Sequence, residues 1–323
     1  MSPRWRRRLV RAVPWALALP WALWAAGRLL GLERGFPLVP LVSYTPYVAG
    51  TAFVPLAVAL AMRRWAAAAL SAAALACLAL AVLPRIVPDA SADGHAGPKL
   101  RVLTANLYRS RADPRELVRL VREKDVDVLT VQELTPGGAA RLRQAGIARL
   151  LPHDYLATRA SVYGSGIYAR YPLRRMGAPA MPFRMPRARL RLPDGLRVDL
   201  VCVHPFPPSG PDAVANWADA LRSLPDGGGG PVGVMAGDFN ATLDHRELRR
   251  VLDRGWFDAA DATGRGLTPT WPADRLVPPP VTIDHVLADE RAGVGGYDVL
   301  DLAGSDHRPV LAVIALGRVP RDR

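Results

Sequence analysis

Val232-Gly233-Val234-Met235-Ala236-Gly237-Asp238-Phe239-Asn240 is an apolar run that empties into a polar turn. The run reads as a buried strand. A carboxylate and an amide two residues apart at its end are placed to hold and polarise something small. Alone the stretch is a weak signal. It gains weight because other apolar runs in the same part of the chain also end in polar residues.

Leu100–Ala105 reads as a strand leading to Asn106, and Val126–Val131 as a buried strand ending at Gln132-Glu133. Gly166–Ala169 is a short strand. Arg187–Leu192 and Leu196–Val203 alternate and flank Pro193-Asp194-Gly195, which predicts a hairpin, and the second arm runs into His204. Val281–Leu287 contains Asp284-His285, and Asp306-His307 precedes a last strand, Val310–Ile314. Helices are expected at Gly138–Arg149, at Asp212–Leu224 and after Asp113-Pro114-Arg115-Glu116, which carries an N-cap acid, a first-turn proline and a glutamate three residues on. This mixture predicts an α/β fold of two packed mixed sheets with helices outside. A purely parallel doubly wound sheet is the alternative. No glycine-rich nucleotide loop is present.

The net charge of +13 invites a nucleic-acid reading, but its location decides otherwise. Residues 1–88 hold ten arginines and one glutamate; the remainder carries only +4 among abundant charges of both signs. Three apolar stretches, about 13–32, 37–62 and 65–87, each reach the roughly 20 residues that cross a bilayer. A signal peptide is the alternative for the first. Arg4, Arg6, Arg7, Arg8 and Arg11 precede it, and Arg63 and Arg64 separate the last two. Basic residues favour the cytoplasmic side, so the chain after Val87 is expected on the outer face. Residues 89–98 read as a linker, and ten extended residues reach about 35 Å, which confines the globular part (99–323) near the membrane. Cys77 and Cys202 are both expected to be buried thiols, with no disulfide between them.

Each polar cluster has a bland reading beside a chemical one. Glu133 is either a solvated strand-end acid or a hard-oxygen ligand for Mg²⁺. Asn106 either caps a turn or binds near a metal or phosphate. His204 is either structural or, when protonated, a donor to a phosphate oxygen. One of Asp284 and His285 should face the core, where a buried acid needs a partner; His307 is the candidate. His95, His153 and His245 are expected to be exposed. The loop from Thr263 to Pro280, with Trp271, is a candidate rim of the site.

The ordered set resembles the endonuclease/exonuclease/phosphatase superfamily, which includes DNase I-like nucleases, neutral sphingomyelinases and inositol-phosphate phosphatases. The matching pieces are Thr104-Ala105-Asn106, Val131-Gln132-Glu133-Leu134, Ala169-Arg170-Tyr171-Pro172-Leu173, Val203-His204, Gly237-Asp238-Phe239-Asn240, Ile283-Asp284-His285-Val286 and Ser305-Asp306-His307-Arg308-Pro309. The resemblance implies a four-layered α/β sandwich. It implies Mg²⁺, with Mn²⁺ as the alternative, held chiefly by Glu133 with Asn106 and Asp306 near it. It gives Asp238 the attacking water, Asn240 a phosphate oxygen, and His204 and His307 the charge on phosphorus, with Asp284 supporting His307. The three spans and His204-Pro205-Phe206-Pro207-Pro208 resemble the membrane-bound bacterial branch, of the VanJ and YafD kind. The VanJ type is associated with glycopeptide resistance and undecaprenyl-pyrophosphate hydrolysis. The expected substrate is therefore a lipid-linked phosphate. An outward-facing nuclease is the alternative, with Arg184, Arg187, Arg189 and Arg191 as its basic groove. A non-catalytic binding domain is the third reading.

Overall fold

The computed structural model describes residues 3–89, 97–177 and 183–317, with side chains from residue 11 on. The side chains of Arg4, Arg6, Arg7 and Arg8, together with His95, most of the expected linker and residues 318–323, lie outside that description. The described chain forms two compact units, one from the N-terminus to Pro84 together with Asp244–Arg246, the other from Arg85–Leu243 and Glu247 onward.

The N-terminal unit is helical throughout: Pro3–Leu30, Leu38–Val42, Thr45–Thr51, Phe53–Ala61 and Trp65–Val82. The second expected span is thus three short helices. Pro46 and Pro55 each sit in the first turn of one of them, where a missing N–H is tolerated, and neither could continue the preceding helix without loss. Small residues let the helices approach: Ala25, Ala52 and Ala74 pack with Leu78. The Trp21 and Trp24 indoles donate inward, to Thr51 Oγ1 at 3.2 Å and Thr45 Oγ1 at 3.1 Å. Arg28 Nε donates to Asp244 Oδ1 at 2.8 Å, and His245 is buried with this segment, against the expectation of exposure. Cys77 is exposed on its helix, not buried as expected. Among the described residues, Trp65–Ile86 is the one helix long and apolar enough to cross a membrane.

Among the described residues, the second unit contains twelve strands: β1 (Lys99–Asn106), β2 (Val128–Gln132), β3 (His153–Ala157), β4 (Ser165–Ala169), β5 (Leu173–Gly177), β6 (Arg187–Arg191), β7 (Arg197–Val203), β8 (Val232–Asp238), β9 (Trp256–Asp258), β10 (Asp284–Asp289), β11 (Gly293–Val299) and β12 (Val310–Ala315). They form two six-stranded sheets, ordered β11-β12-β1-β2-β4-β3 and β5-β6-β7-β8-β10-β9. Each contains one parallel pair, β1–β2 and β7–β8, among antiparallel neighbours, so both sheets are mixed and the doubly wound alternative fails. The expected hairpin is present as β6–β7.

Side-chain alternation builds the interior. Leu100 and Val102 of β1, Val198, Leu200 and Cys202 of β7, Val232, Val234 and Ala236 of β8, and Val286 and Ala288 of β10 share one core between the sheets. The opposite row of the first sheet, with Leu103, Leu129 and Val131, packs on Leu117, Val121 and Leu142 of the helices Pro114–Glu123 and Pro136–Gln144. The parallel β7–β8 pair needs a crossover, and Pro211–Arg222 supplies it. The inner face of that sheet is already filled by the other sheet. The crossover helix therefore lies outside, and its Trp217 Nε1 donates to Phe239 O at 3.1 Å. The helix expected over Gly138–Arg149 ends at Gln144 and restarts at Ile147, broken at Gly146 with φ +96°.

The globular unit begins earlier than residue 99. Pro88 bridges Thr263 and the Asp89 N–H donates to Ala262 O at 2.9 Å, so the start of the expected linker is already part of this unit.

Candidate active site

The inner rows of four strands end in polar residues at the same edge of the sandwich. Continuing Leu100 and Val102 by twos reaches Thr104 and Asn106; continuing the β7 row reaches His204; the β8 row reaches Asp238; and the β10 row begins at Asp284. Asn106, His204, Asp238 and Asp284 are all buried. One amide joins the sheets: Asn106 Nδ2 donates to Asp238 Oδ2 at 3.0 Å and approaches Glu133 Oε1 at 3.4 Å. Asp284 and Asp238 are register partners across β10 and β8, which brings a second carboxylate beside the first.

Asp284 holds His307 as expected, with its Oδ2 2.9 Å from Nδ1. The other ring nitrogen faces Asp238 Oδ2 at 3.7 Å and Asp306 Oδ1 at 4.0 Å. Burial alone would lower the His307 pKa, but Asp284, Asp238 and Asp306 outweigh it and push it up to about 10. The ring is an imidazolium at neutral pH. His204 is the opposite case. Burial, reinforced by the His307 charge, lowers it to about 3, so it is neutral rather than the protonated donor considered from the sequence. Its Nδ1 is buried without a partner, and its Nε2 stands 3.9 Å from Asp238 Oδ2. Phe183 meets its ring edge-on with centroids 4.9 Å apart, and Phe206 packs on Phe183.

Glu133 lies just beyond β2 with φ +57°, a conformation a glutamate adopts only when its surroundings impose it. Ser110 Oγ donates to the Glu133 carbonyl at 3.1 Å and accepts the Thr135 N–H at 2.9 Å. The Arg109 N–H donates to Glu133 Oε2 at 2.7 Å. Burial still raises the Glu133 pKa, and Asp306 adds to it, against the pull of Arg109 N–H, His307 and Asn106. Burial likewise pushes the Asp238 carboxyl well above its usual range, with His307 opposing and Asp284 adding.

These shifts test whether a divalent cation fits. Glu133, Asp238, Asp284 and Asp306 converge on one imidazolium and one neutral imidazole, so negative charge exceeds positive. The donors are hard oxygens, which suit Mg²⁺ or Mn²⁺. Asp238, Asp284 and His307 offer ligand atoms within 4.8 Å of one another. Since His307 spends Nδ1 on Asp284 and is charged, the oxygen side toward Glu133 and Asp306 is the better seat. The residues present fit such an ion.

Asn240 has φ +48°; its N–H donates to Asp238 Oδ1 at 2.8 Å, and its Nδ2 to Pro205 O at 3.3 Å. The eight residues singled out in the sequence therefore gather at one place. For several supporting residues the sequence specified no particular bond. Thr270 Oγ1 accepts both the Ile283 and Asp284 N–H groups, and Trp271 Nε1 donates to Asp306 Oδ2 at 3.2 Å. The Thr263–Pro280 loop is thus part of the site wall. Ser305 Oγ donates to the Asn106 carbonyl at 2.7 Å and accepts the His307 N–H at 3.0 Å. As expected from strand alternation, one member of Asp284-His285, Asp284, faces inward; His285, on the opposite face of β10, is buried as well.

Residues 103–307 match the model of the Endonuclease/Exonuclease/phosphatase family. The chain belongs to that family. All eight candidate residues fall within the matched range. Solved structures agree on the fold of the family. An endonuclease/exonuclease/phosphatase from Beutenbergia cavernae is 19% identical with a TM-score of 0.55, covering 69% of this chain and 73% of its own. A humanized TDP2 of D. rerio is 17% identical with a TM-score of 0.54, covering 67% and 98%. An AP endonuclease from Archaeoglobus fulgidus is 14% identical with a TM-score of 0.53, covering 68% and 100%. No curated protein matches the chain.

Proposed function

We propose that the chain is a membrane-anchored, Mg²⁺-dependent phosphohydrolase that cleaves a phosphoester or pyrophosphate bond by water attack, on a lipid-linked phosphate such as undecaprenyl pyrophosphate at the outer membrane face. The observation that carries the chemistry is the Asn106 amide bonded to Asp238 at 3.0 Å and set 3.4 Å from Glu133, across the two sheets. It places a candidate water-activating carboxylate beside a candidate metal-binding one.

A bound divalent ion supplies charge compensation for the phosphate and lowers the pKa of water. Glu133, Asp306 and the Asn106 side chain would hold it. Asp238, raised by burial, takes the proton of the attacking water as the oxygen–phosphorus bond forms. The His307 imidazolium and the remaining N–H of neutral His204 donate to the non-bridging oxygens, with Asn240 beside them. The leaving group departs with the electrons of the broken phosphorus–oxygen bond, as a phosphate anion when the substrate is a pyrophosphate. No covalent intermediate with the chain is required.

The membrane reading is supported by the N-terminal unit, which turns large apolar side chains outward, among them Leu23 (69% exposed), Leu29 (68%), Trp65 (70%) and Leu80 (76%). Water solvates such a surface poorly; hydrocarbon suits it. The three spans and the outward orientation rest on this and on the arginine asymmetry. Against the nuclease reading, the expected basic groove is partly spent. Arg189 is bidentate on Asp199 at 2.5 and 2.7 Å, and Arg187 Nη2 donates to Ser223 O. In its favour stands the similarity to a D. rerio TDP2 described in complex with a single-strand DNA product.

The deciding experiment uses the full chain in detergent with Mg²⁺, on a polyprenyl pyrophosphate and on supercoiled plasmid. Phosphate release from the lipid is expected, with little plasmid nicking. In Asp238→Asn release should fall by a factor of about 10² to 10⁴. Nicking without lipid hydrolysis would establish the nuclease instead, and absent Mg²⁺ binding in titration calorimetry would favour a non-catalytic domain.

A further inference from the structure

Strand β10 carries two Asp–His contacts back to back. Asp284 turns inward to His307, and His285 turns outward to Asp258. The His285 ring is fully buried, with Nδ1 2.6 Å from Asp258 Oδ2 and Nε2 2.8 Å from the Ala241 carbonyl oxygen. A carbonyl can only accept. Whichever partner holds the proton shared with Asp258, Nε2 must therefore carry a hydrogen and donate it to Ala241.

Ala241 follows Asn240. The chain turns there through Phe239-Asn240-Ala241, with Asn240 left-handed at φ +48°, which is unfavourable for a non-glycine residue unless its flanks are fixed. Both flanks are fixed by buried ring N–H groups. Trp217 Nε1 donates to the Phe239 carbonyl at 3.1 Å, and His285 Nε2 to the Ala241 carbonyl. The Phe239 ring stands edge-on to His285 with centroids 5.6 Å apart. On the inner side the same turn is closed by the Asn240 N–H on Asp238 Oδ1. The Asp238 carboxylate and the Asn240 amide thus lean on a turn whose far side is held by His285.

We propose that His285 is a positioning residue: it anchors the Ala241 carbonyl and thereby sets Asn240 and the Asp238 carboxylate for reaction, without touching substrate. Asp258 orients the ring and also caps the Ala259–Ala262 helix, its Oδ1 accepting the Asp261 N–H at 2.9 Å. The kinetic part of the proposal rests on the phosphohydrolase reading; the structural part does not.

The test separates the tether from the acid. Asp258→Asn keeps one oxygen for the helix cap and turns its amide N–H on Nδ1 of the neutral ring, so Nε2 keeps its hydrogen and its bond to Ala241. The double variant Asp258→Asn, His285→Phe removes the bond while filling the space. Full-length proteins in detergent are compared by hydrogen exchange with mass spectrometry, and by hydrolysis of bis(p-nitrophenyl) phosphate with Mg²⁺. In Asp258→Asn, exchange at residues 239–242 stays slow and kcat holds within about threefold, while in the double variant exchange there quickens by about tenfold or more, with β8 unchanged. In the same double variant kcat falls by about tenfold or more at an unchanged Mg²⁺ concentration for half-maximal rate, as for a reacting group set slightly out of place. Slow exchange and full kcat in a folded double variant would overturn the proposal, as would Asp258→Asn loosening the turn as much as the double variant does. Should the double variant not fold, Asp258→Asn, His285→Leu is read by the same exchange. If the wild type cleaves no phosphoester, the phosphohydrolase reading fails while the exchange result still judges the tether.

Discussion

His204 and His307 face the same carboxylate and titrate in opposite directions, because only one of them has a bonded acid. His307 has Asp284 on Nδ1. His204 has aromatic neighbours and a partnerless Nδ1. This gives a pH signature. Below its ordinary pKa of 6.5 the unfolded chain protonates at His204, while the folded site resists down to about 3. The unfolded state then binds more protons, so stability falls as the pH falls through that window, by up to about 1.4 kcal/mol per pH unit. His204→Phe should abolish this contribution. Urea unfolding at pH 7 and pH 5 is expected to show the wild type losing about 1–2 kcal/mol more than the variant. Equal losses would mean that His204 is charged in the fold. In the sequence, His204 and His307 both read as phosphate-side histidines; their different protonation depended on which acid lay within reach in space. Placing His245 on the surface failed for a related reason, since the segment Asp244–Arg246 belongs to the helical unit, with Asp244 bonded to Arg28, 216 positions away.

The strands most legible in the sequence are the central ones. β8 and β12 are buried almost throughout with nearly unbroken apolar rows, and β1, β2 and β7 are buried along most of their length with few polar interruptions. The four strands missing from the sequence reading are β3, β5, β9 and β11, which are the four sheet edges. An edge strand has one unpaired side and needs no continuous apolar row. β5 carries exposed Arg174 and Arg175, β9 is three residues long, and β11 holds Gly293, Gly295 and Gly296. At the other extreme, the parallel contact between β7 and β8 tolerates no side chain at Gly237. A Cβ there would lie 1.9 Å from the Val203 carbonyl oxygen, a backbone atom that cannot swing aside. Gly237→Ala is expected to cost about 1–3 kcal/mol of stability by forcing the strands apart. It should also lower the activity of the molecules that remain folded, since Asp238 is the next residue. Denaturant titration paired with activity per folded molecule checks this; a variant as stable and active as the wild type would show that the strands separate freely.

The two units of the whole molecule were legible to different depths. The globular unit could be read because polar residues recur at strand ends in a fixed order. The helical unit showed its apolar composition, but not that its middle stretch folds as three short helices or that Trp21 and Trp24 donate to its threonines. If the outward-facing apolar surface lies in hydrocarbon, the full chain should stay in the membrane pellet after alkaline carbonate extraction. Protease added outside spheroplasts should then digest the globular unit. Its release into the carbonate supernatant would count against membrane embedding, and its protection from external protease would reverse the orientation.

The candidate reacting groups are divided between the sheets. Asn106, Glu133, Asp306 and His307 come with the first, and His204, Asp238, Asn240 and Asp284 with the second. Neither half alone contains both the proposed water-side carboxylate, Asp238, and the proposed metal-side one, Glu133. Hydrolysis is therefore a coincidence detector: in a refolding experiment it would start only when the two halves dock, and a lag between regained strand signal and regained turnover would time that docking.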